Sequence, residues 1–209
     1  MSNLRILRPS LVVWLVVLVS GCDDAFTPRP WGYFRIDLPE KTYRTFESDC
    51  PFSFEYPEYS LVVKHNSPTS MQCWYNLEFP EFQGRLYLTY HTILKEGEVN
   101  KNKAPVEKYQ EDARNFAMGH SVKASAIEEE LIANKEASIY GIIYHIEGMN
   151  AASSLQFYLT DSIDHFFRGA LYFDIAPQND SLAPVINFIT EDVYRFIETF
   201  QWETLTQEP

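Results

Sequence analysis

The sequence predicts an α+β layered sandwich, in which a mainly antiparallel sheet of about six strands carries helices packed on its faces. Three observations predict this fold class. Apolar and polar residues alternate in many short segments, which is typical of half-buried strands. Two longer segments show helical spacing instead. The strands follow one another as hairpins and do not alternate with helices, which argues against a parallel Rossmann sheet.

Five strand segments come before the first predicted helix. Apolar side chains occupy alternate positions over residues 34–38, 52–56 and 61–63, and in both halves of a hairpin over residues 73–94. Pro39, Pro57 and Pro80 each end one of these segments, and Gly84 turns the hairpin.

The apolar period changes to that of a helix after Asn102. Pro105 lies where a helix accepts proline, in its first turn, and Gly119 provides a C-terminal stop. Between them the apolar residues recur every three or four positions, at Val106, Tyr109, Ala113, Phe116 and Ala117. This pattern predicts an amphipathic helix lying on the sheet.

Further strand segments follow the first predicted helix, and a second predicted helix comes after them. Ile127 and Leu131 give a weak strand signal because three glutamates lie between them, whereas alternation is strong over residues 140–146, 155–159 and 167–173. The second helix has the clearest helical spacing, at Val185, Phe188, Ile189, Val193, Phe196, Ile197 and Phe200, and the polar residues 179–181 before it provide caps. The whole arrangement resembles the architecture of the photosystem PsbP and Mog1 proteins, an analogy that carries no function.

The N-terminus has the features of a bacterial lipoprotein signal. Arg5 and Arg8 precede an apolar run over residues 11–19 of about nine residues, whereas a spanning helix needs about 20. The sequence Val19-Ser20-Gly21-Cys22 follows and resembles a lipobox, whose cysteine thiol takes up a diacylglycerol. The alternative is an ordinary signal peptide with an incidental cysteine. We expect a signal peptide over 1–21, a tether over 22–30 and one globular domain over 31–205.

The charge balance excludes some classes of partner. The chain has 17 basic and 29 acidic side chains, a net charge of −12. Removal of residues 1–21 takes away two arginines and no acid, which leaves 15 basic and 29 acidic side chains and a net charge of −14. Such a protein has no general electrostatic attraction to nucleic acid or to anionic lipid headgroups. We therefore expect membrane contact through the lipid on Cys22, and no nucleic-acid partner.

Two cysteines remain after the one in the lipobox. Cys50 and Cys73 form an even pair in an oxidising compartment, which predicts a disulfide that closes a loop of about 24 residues. Two free thiols or half of a metal site are the alternatives. No second cysteine pair or His-x-x-His spacing supports zinc.

The sequence contains no nucleophile elbow, phosphate loop or zinc-protease motif, so it predicts no cofactor. The densest polar cluster is the turn Asp161–Arg168. An enzymatic interpretation has Asp161 orient His165 as a base for the nucleophile Ser162. The favoured interpretation is a surface turn in which Asp161 and Ser162 make turn hydrogen bonds, while Asp164, His165 and Arg168 pair on the surface. Asp161, Asp164, His165 and Arg168 are then a candidate surface for a protein partner.

A second polar pair lies on a predicted strand. His145 and Glu147 share one face of that strand and could both bind a metal ion. Two ligands do not make a site, so a solvated strand face is the better interpretation and we predict no metal.

Several segments resemble the gliding-motility lipoprotein GldD family. They are spread over nearly the whole mature chain: Arg29–Ile36, Cys50–Tyr56, Cys73-Trp74, Ala151–Phe173, Asn179–Ser181 and Pro184-Val185. The resemblance implies a non-enzymatic envelope lipoprotein required for gliding and for the associated type IX secretion machinery, with Cys22 as the lipid site. It implies partners among other gliding and secretion lipoproteins and motor components. It carries no catalytic residues.

Location and mechanism stay open to alternatives. The resemblance favours the outer membrane, facing the periplasm, although Asp23 and Asp24 would retain a lipoprotein in the inner membrane of some bacteria. The competing functions are an envelope hydrolase that uses the Asp161–His165 turn, and a module that binds a small ligand or lipid. The second would need a sizeable apolar cavity between sheet and helix.

Overall fold

A computed structural model describes residues 36–65, 73–100, 103–148, 151, 153–174 and 179–203, with the side chains of 179–181 left out. The chain divides into two units, Met1–Ile36 and Asp37–Pro209, and the fold described below is that of the second unit. The predicted signal peptide, the tether and Cys22 lie outside the described residues.

The domain is built on a seven-stranded sheet with a smaller sheet beside it. In chain order its strands are β1 (Tyr43–Phe46), β2 (Phe52–Pro57), β3 (Leu61–Lys64), β4 (Tyr75–Phe79), β5 (Gly84–Thr92), β6 (Ala126–Asn134), β7 (Ile139–Glu147), β8 (Ser153–Thr160), β9 (His165–Phe173) and β10 (Gln201–Trp202). The large sheet has the order β3-β4-β5-β9-β8-β7-β6, and the small one the order β1-β2-β10. All of these pairings are antiparallel.

The predicted fold class is confirmed, with one correction at the start of the domain. The strand expected over residues 34–38 is absent from its described part, Ile36 to Leu38, and β1 begins later, at Tyr43. The alternation of apolar residues over 34–38 was misleading because Leu38 is exposed. β1 carries almost no alternation, since only Phe46 of its four side chains is buried, and hydrogen bonding to β2 defines it instead.

Both predicted helices are present. Helix α1 spans Val106–Met118, with Pro105 directly before it. Gly119 ends this helix as expected, but in a right-handed conformation that continues into the short 3-10 turn Gly119–Val122. Helix α2 spans Asn179–Thr199.

The face of the large sheet that packs against α2 and the small sheet is lined with aromatic rings. Phe52 of β2 meets Phe167 of β9 edge to face, with ring centroids 4.9 Å apart, and Phe54 lies 4.1 Å from Phe196 of α2. The ring of Phe157 lies over Gly169 on the neighbouring strand, where a Cβ atom would stand only 2.3 Å from the ring. Glycine is therefore required at that position for close packing.

The opposite face is covered by α1 over part of its width. Here the buried cluster comprises Ile93, Ala113, Ala117, Tyr144, Tyr158 and Phe166. Because β8 is covered on both faces, all of its residues except Ser154 are buried and the apolar alternation disappears. The strands at the two ends of the sheet, β3 and β6, are mostly exposed.

Cys50 and Cys73 are joined in the structure. Their Cα atoms lie 5.8 Å apart, and both side chains are buried. Cys50 directly precedes Pro51 and the small-sheet strand β2, and Cys73 precedes the large-sheet strand β4, so the bridge ties the two sheets together. Among the described residues, no helix has the length and hydrophobicity needed to cross a membrane.

Candidate functional site

The turn between β8 and β9 is organised by one carboxylate. Asp161 Oδ1 accepts hydrogen bonds from the backbone N–H groups of Ile163, Asp164 and His165, each at 2.9 Å. Ser162 occupies the left-handed region at φ 66°. An aspartate that accepts several backbone N–H groups is a common way to stabilise a turn. Asp161 therefore serves the backbone of the turn and not the imidazole of His165.

The imidazole of His165 is also engaged elsewhere. Its Nδ1 lies 2.7 Å from the Tyr90 hydroxyl, and its ring stacks on Trp202 of β10 at 5.0 Å between centroids. Ser162 is exposed, and no hydrogen bond within the described part of the chain joins it to His165. A nucleophile must reach its base. The hydrolase interpretation of this turn therefore has no geometric support.

The candidate partner surface on this turn is divided. Asp164 does reach the solvent, where it forms an ion pair of 2.5 Å with Lys95, and Ile163 beside it is 64% exposed. Arg168, however, lies on the opposite face of the sheet from His165. Residues three apart on a strand point to opposite faces. The expected surface pairing is therefore present for Asp164, through Lys95, but wrong for Arg168.

Arg168 belongs to β9, and its side chain extends towards α1, away from that turn. Its Nη2 donates a 2.6 Å hydrogen bond to Gln156 Oε1, and its guanidinium carbon lies 4.7 Å from the centre of the Phe116 ring. Burial lowers the pKa of Arg168, and the neighbouring Tyr172 hydroxyl opposes that shift. No acidic side chain in the described ranges forms an ion pair with it.

A second polar cluster joins β6, β7 and α2. The hydroxyl of Tyr194 donates to Glu130 Oε2 at 2.5 Å and lies 3.1 Å from His145 Nε2, which is itself 3.3 Å from the same carboxylate oxygen. The hydrogen bond from Tyr194 lowers the pKa of Glu130, and burial raises the pKa of Tyr194 to about 12. His145 therefore faces α2, where it contacts Glu130 and Tyr194.

This cluster stands in a groove along α2. One part has a volume of about 690 Å³ and is lined by His145, Glu147, Ser154 and residues of α2, among others. The adjoining part contains Glu128, Glu129, Glu130 and Leu131 of β6. The hydroxyl oxygen of Ser154 is buried and has no hydrogen-bond partner among the described atoms. The groove is open to solvent and its lining is mixed, so it differs from the apolar cavity that a lipid-binding module would need.

Asp192 is a fully buried charged side chain on the α2 side of the large sheet. The sequence pattern did not identify it. It is 2% exposed and accepts hydrogen bonds from the hydroxyl groups of Tyr43, at 2.7 Å, and Tyr59. Lys41 lies 3.0 Å from the same carboxylate. Burial, and after it the bond to Asp192, raises the pKa of both tyrosines. Every partner is present, so this is a structural network.

No group of three or more His, Cys, Asp or Glu side chains in the described segments is arranged to hold a metal ion. The notable clusters combine residues from distant parts of the sequence. Glu130 and Tyr194 are 64 residues apart. The polar pair His145 and Glu147 on one strand indicated His145 as a member of this cluster. The pattern of one strand cannot reveal the partners, which come from other elements.

Comparison with known proteins identifies the family. A family model described as the gliding motility lipoprotein GldD matches residues 23–202, which is most of the chain and all but one residue of the described domain. The chain belongs to the GldD family. GldD proteins are thus lipoproteins linked to gliding motility, and membership implies association with a membrane of the cell envelope. The resemblance inferred from the sequence is confirmed.

Other comparisons add little to the GldD assignment. A search of curated proteins finds no significant match. Among solved structures, the chain is similar to the solution structure of cyanobacterial PsbP (CyanoP) from Synechocystis, at 10% identity and a TM-score of 0.45, over 81% of this chain and 97% of that one. At this level of similarity we base no argument on the likeness.

Proposed function

We propose that this protein is a non-enzymatic, lipid-anchored envelope protein that supports gliding motility and the associated type IX secretion machinery through contacts with other proteins. The observation that carries the proposal is the GldD match over residues 23–202. It covers the folded domain from end to end, so the link to gliding concerns the domain as a whole.

The anchor in this proposal is Cys22, which directly precedes the matched region. A lipid with more than one acyl chain holds a protein stably on a membrane, whereas a single chain does so only weakly. Net negative charge gives the domain no attraction to anionic headgroups, so attachment depends on the lipid. We propose that the domain faces the periplasm from the outer membrane, with partners among gliding and secretion lipoproteins and motor components.

The proposed contact surface is the groove along α2 together with strand β6. This strand ends the large sheet, so one side of its backbone has no neighbouring strand in the described structure. Leu131 of β6 is 81% exposed and Val122, which lines the groove, is 91% exposed. An open edge strand can pair with an extended segment of another protein, and nearby apolar side chains then add burial.

Site-specific photocrosslinking in gliding cells tests this proposal. A photoreactive amino acid replaces Leu131 in the full lipidated chain, and a matched control carries it at Glu111, which is exposed on α1. We expect crosslinks to envelope proteins of the gliding or secretion machinery from position 131 and few from position 111. A Cys22→Ala variant should lose both the crosslinks and membrane attachment.

Two results would contradict the proposal. Equal crosslinking from positions 131 and 111 would remove the groove and β6 as the contact surface. Normal gliding and secretion in cells that carry only Cys22→Ala would show that the lipid anchor is not needed.

A further inference from the structure

Arg168 is half-buried, and among the described residues it lacks the acidic partner that such a cation normally has. The chain contains 29 acidic and 17 basic side chains, yet no acid in the described segments forms an ion pair with this guanidinium. Buried charges in proteins are nearly always paired, because desolvation of an isolated charge is costly. Arg85 on the neighbouring strand β5 is the ordinary case, since it lies 3.2 Å from Glu78 and 3.8 Å from Asp174.

The groups that hold Arg168 are neutral. Gln156 accepts from Nη2 at 2.6 Å, and Phe116 of α1 covers one flat face of the guanidinium at 4.7 Å. Thr89 of β5 and Tyr158 of β8 lie directly opposite Arg168 on the two neighbouring strands. A guanidinium has five N–H donors and no acceptor. The Tyr172 hydroxyl, further along β9, is another acceptor for the guanidinium. These neighbours therefore fix its position but provide no carboxylate partner.

Gln156 gives an independent sign that an acceptor is missing. Its side chain is 1% exposed, and its Nε2 has no hydrogen-bond partner among the described atoms. The amide must direct its oxygen to Arg168, because the guanidinium can only donate, and its own N–H donors are then left over. An unpaired buried donor next to an unpaired cation means that this region has more donors than acceptors.

The remaining titratable neighbours add no negative charge. Burial, and after it the positive charge of Arg168, lowers the pKa of both His91 and His120. Both imidazoles are therefore neutral at pH 7. No carboxylate in the described segments contributes to the pKa shift of Arg168, whose largest cause is burial.

We propose that Arg168, positioned by Gln156 and Phe116, binds a carboxylate group at the edge of α1. The two parallel N–H groups on the edge of a guanidinium match the two oxygens of a carboxylate, and the edge is what remains when a ring covers one flat face. The net charge of −12 disfavours anions that carry more charge, such as phosphate. The inference is independent of the gliding function, because it depends only on these contacts.

Thermal unfolding of the full lipidated chain in detergent tests the site with sodium acetate as the probe. Acetate replaces chloride at constant ionic strength, so only the identity of the anion changes. Binding to the folded state raises the midpoint. We expect a rise of about 2 °C or more at an acetate concentration near ten times its Kd. The Arg85→Met variant is the matched control and should keep this rise.

Arg168→Met should lose the acetate effect. Met removes a half-buried charge, which favours folding, but it also leaves Gln156 Oε1 without its donor, which opposes folding, so the midpoint in chloride should change little. Arg168→Lys keeps the charge but lacks the planar fork, so its acetate effect should fall at least about threefold. It also serves as the second variant if Arg168→Met fails to fold.

The proposal is overturned if acetate has no specific effect on the wild type, or if both Arg168 variants respond as the wild type does. A rise with phosphate and none with acetate would overturn the assignment to a carboxylate. A peptide with three glutamates, blocked at both ends, separates two sources of the group. Tighter binding per carboxylate than acetate assigns it to a polypeptide, and equal binding assigns it to a small molecule.

Discussion

On the α2 side of the large sheet, Asp192 is buried with a lysine and two tyrosine hydroxyl groups around it. On the α1 side, Arg168 is half-buried, and no acid of the described segments pairs with it. The first charge has every partner that its chemistry requires. The second has only neutral ones. Both belong to the same domain, so the difference is local and does not reflect a general shortage of acids.

This comparison separates polar groups that stabilise the fold from those that are available to a ligand. A fully paired buried network is destabilised strongly when one member is removed, because the others are left without partners. An unpaired charge contributes little or negatively to stability, so its removal has a small effect on the free protein. The predictions below test this difference, from the largest expected effect to the smallest.

The largest effect is expected for Asp192→Asn. The amide keeps the shape of the side chain but removes the negative charge that Lys41, Tyr43 and Tyr59 share. We expect the free energy of unfolding to fall by about 3–5 kcal/mol, as for other buried pairs that lose one partner. Chemical denaturation followed by tryptophan fluorescence measures it.

The matched control for that variant is Glu191→Gln. Glu191 contacts the same Lys41 at 2.9 Å, but its side chain is 72% exposed. Exposed ion pairs contribute about 0–1 kcal/mol. Equal losses for the two variants would show that burial of Asp192 is not what makes the network important.

The disulfide should have the next largest effect. It joins the segment before β2 to the segment before β4 and so connects the two sheets. Replacement of both Cys50 and Cys73 by alanine should lower the free energy of unfolding by about 2–4 kcal/mol. Alkylation of the unfolded, unreduced protein is the direct check: labelling of both cysteines without reductant would show that the bridge does not form.

The smallest effect is expected for the pH dependence of stability, through His91 on the α1 side of the large sheet. Burial lowers the folded-state pKa of His91, so below the usual histidine pKa of about 6.5 the unfolded chain binds more protons than the folded one. Its stabilising contribution is therefore present at pH 7 and lost as the pH falls through 6.5 towards the folded-state pKa. His91→Phe keeps the ring that stacks on Tyr109 at 4.8 Å but cannot titrate.

Unfolding midpoints of wild type and His91→Phe from pH 7.5 to 5 measure this contribution. The variant should lose less stability on acidification than the wild type. An identical pH dependence in both proteins would show that His91 titrates normally.

The fold class and the order of elements followed from the sequence because burial on one face imposes a period. The strands around Phe54, Leu77 and Leu86 and the helix around Phe196 were all predicted where the structure has them. β1 was not, because a strand in which only Phe46 is buried has no period to detect. The strand predicted over 34–38 is absent from its described part. There the apolar residues alternate in sequence, but the segment does not pair with a sheet.

The candidate site was predicted less well. The turn at Asp161 was correctly interpreted as a hydrogen-bonded turn, since its residue types act on their own backbone. Arg168 was assigned to the same surface because it is close in sequence, but strand geometry turns it to the other face. Gln156 gave no signal at all. Its significance lies in a hydrogen bond to another strand and in a donor that has no partner.

The sequence by itself determined the family, the acidic character and the periods that define most of the helices and strands, and it predicts the lipobox. All of these depend on residues that are neighbours along the chain or share one element's face. Only the tertiary structure decided which charges meet. Asp192 finds its partners about 130–150 residues away in sequence, whereas Arg168 finds no acidic partner among the described residues. Coulombic and hydrogen-bonding energies depend on distances in space, and a sequence specifies those only after it has folded.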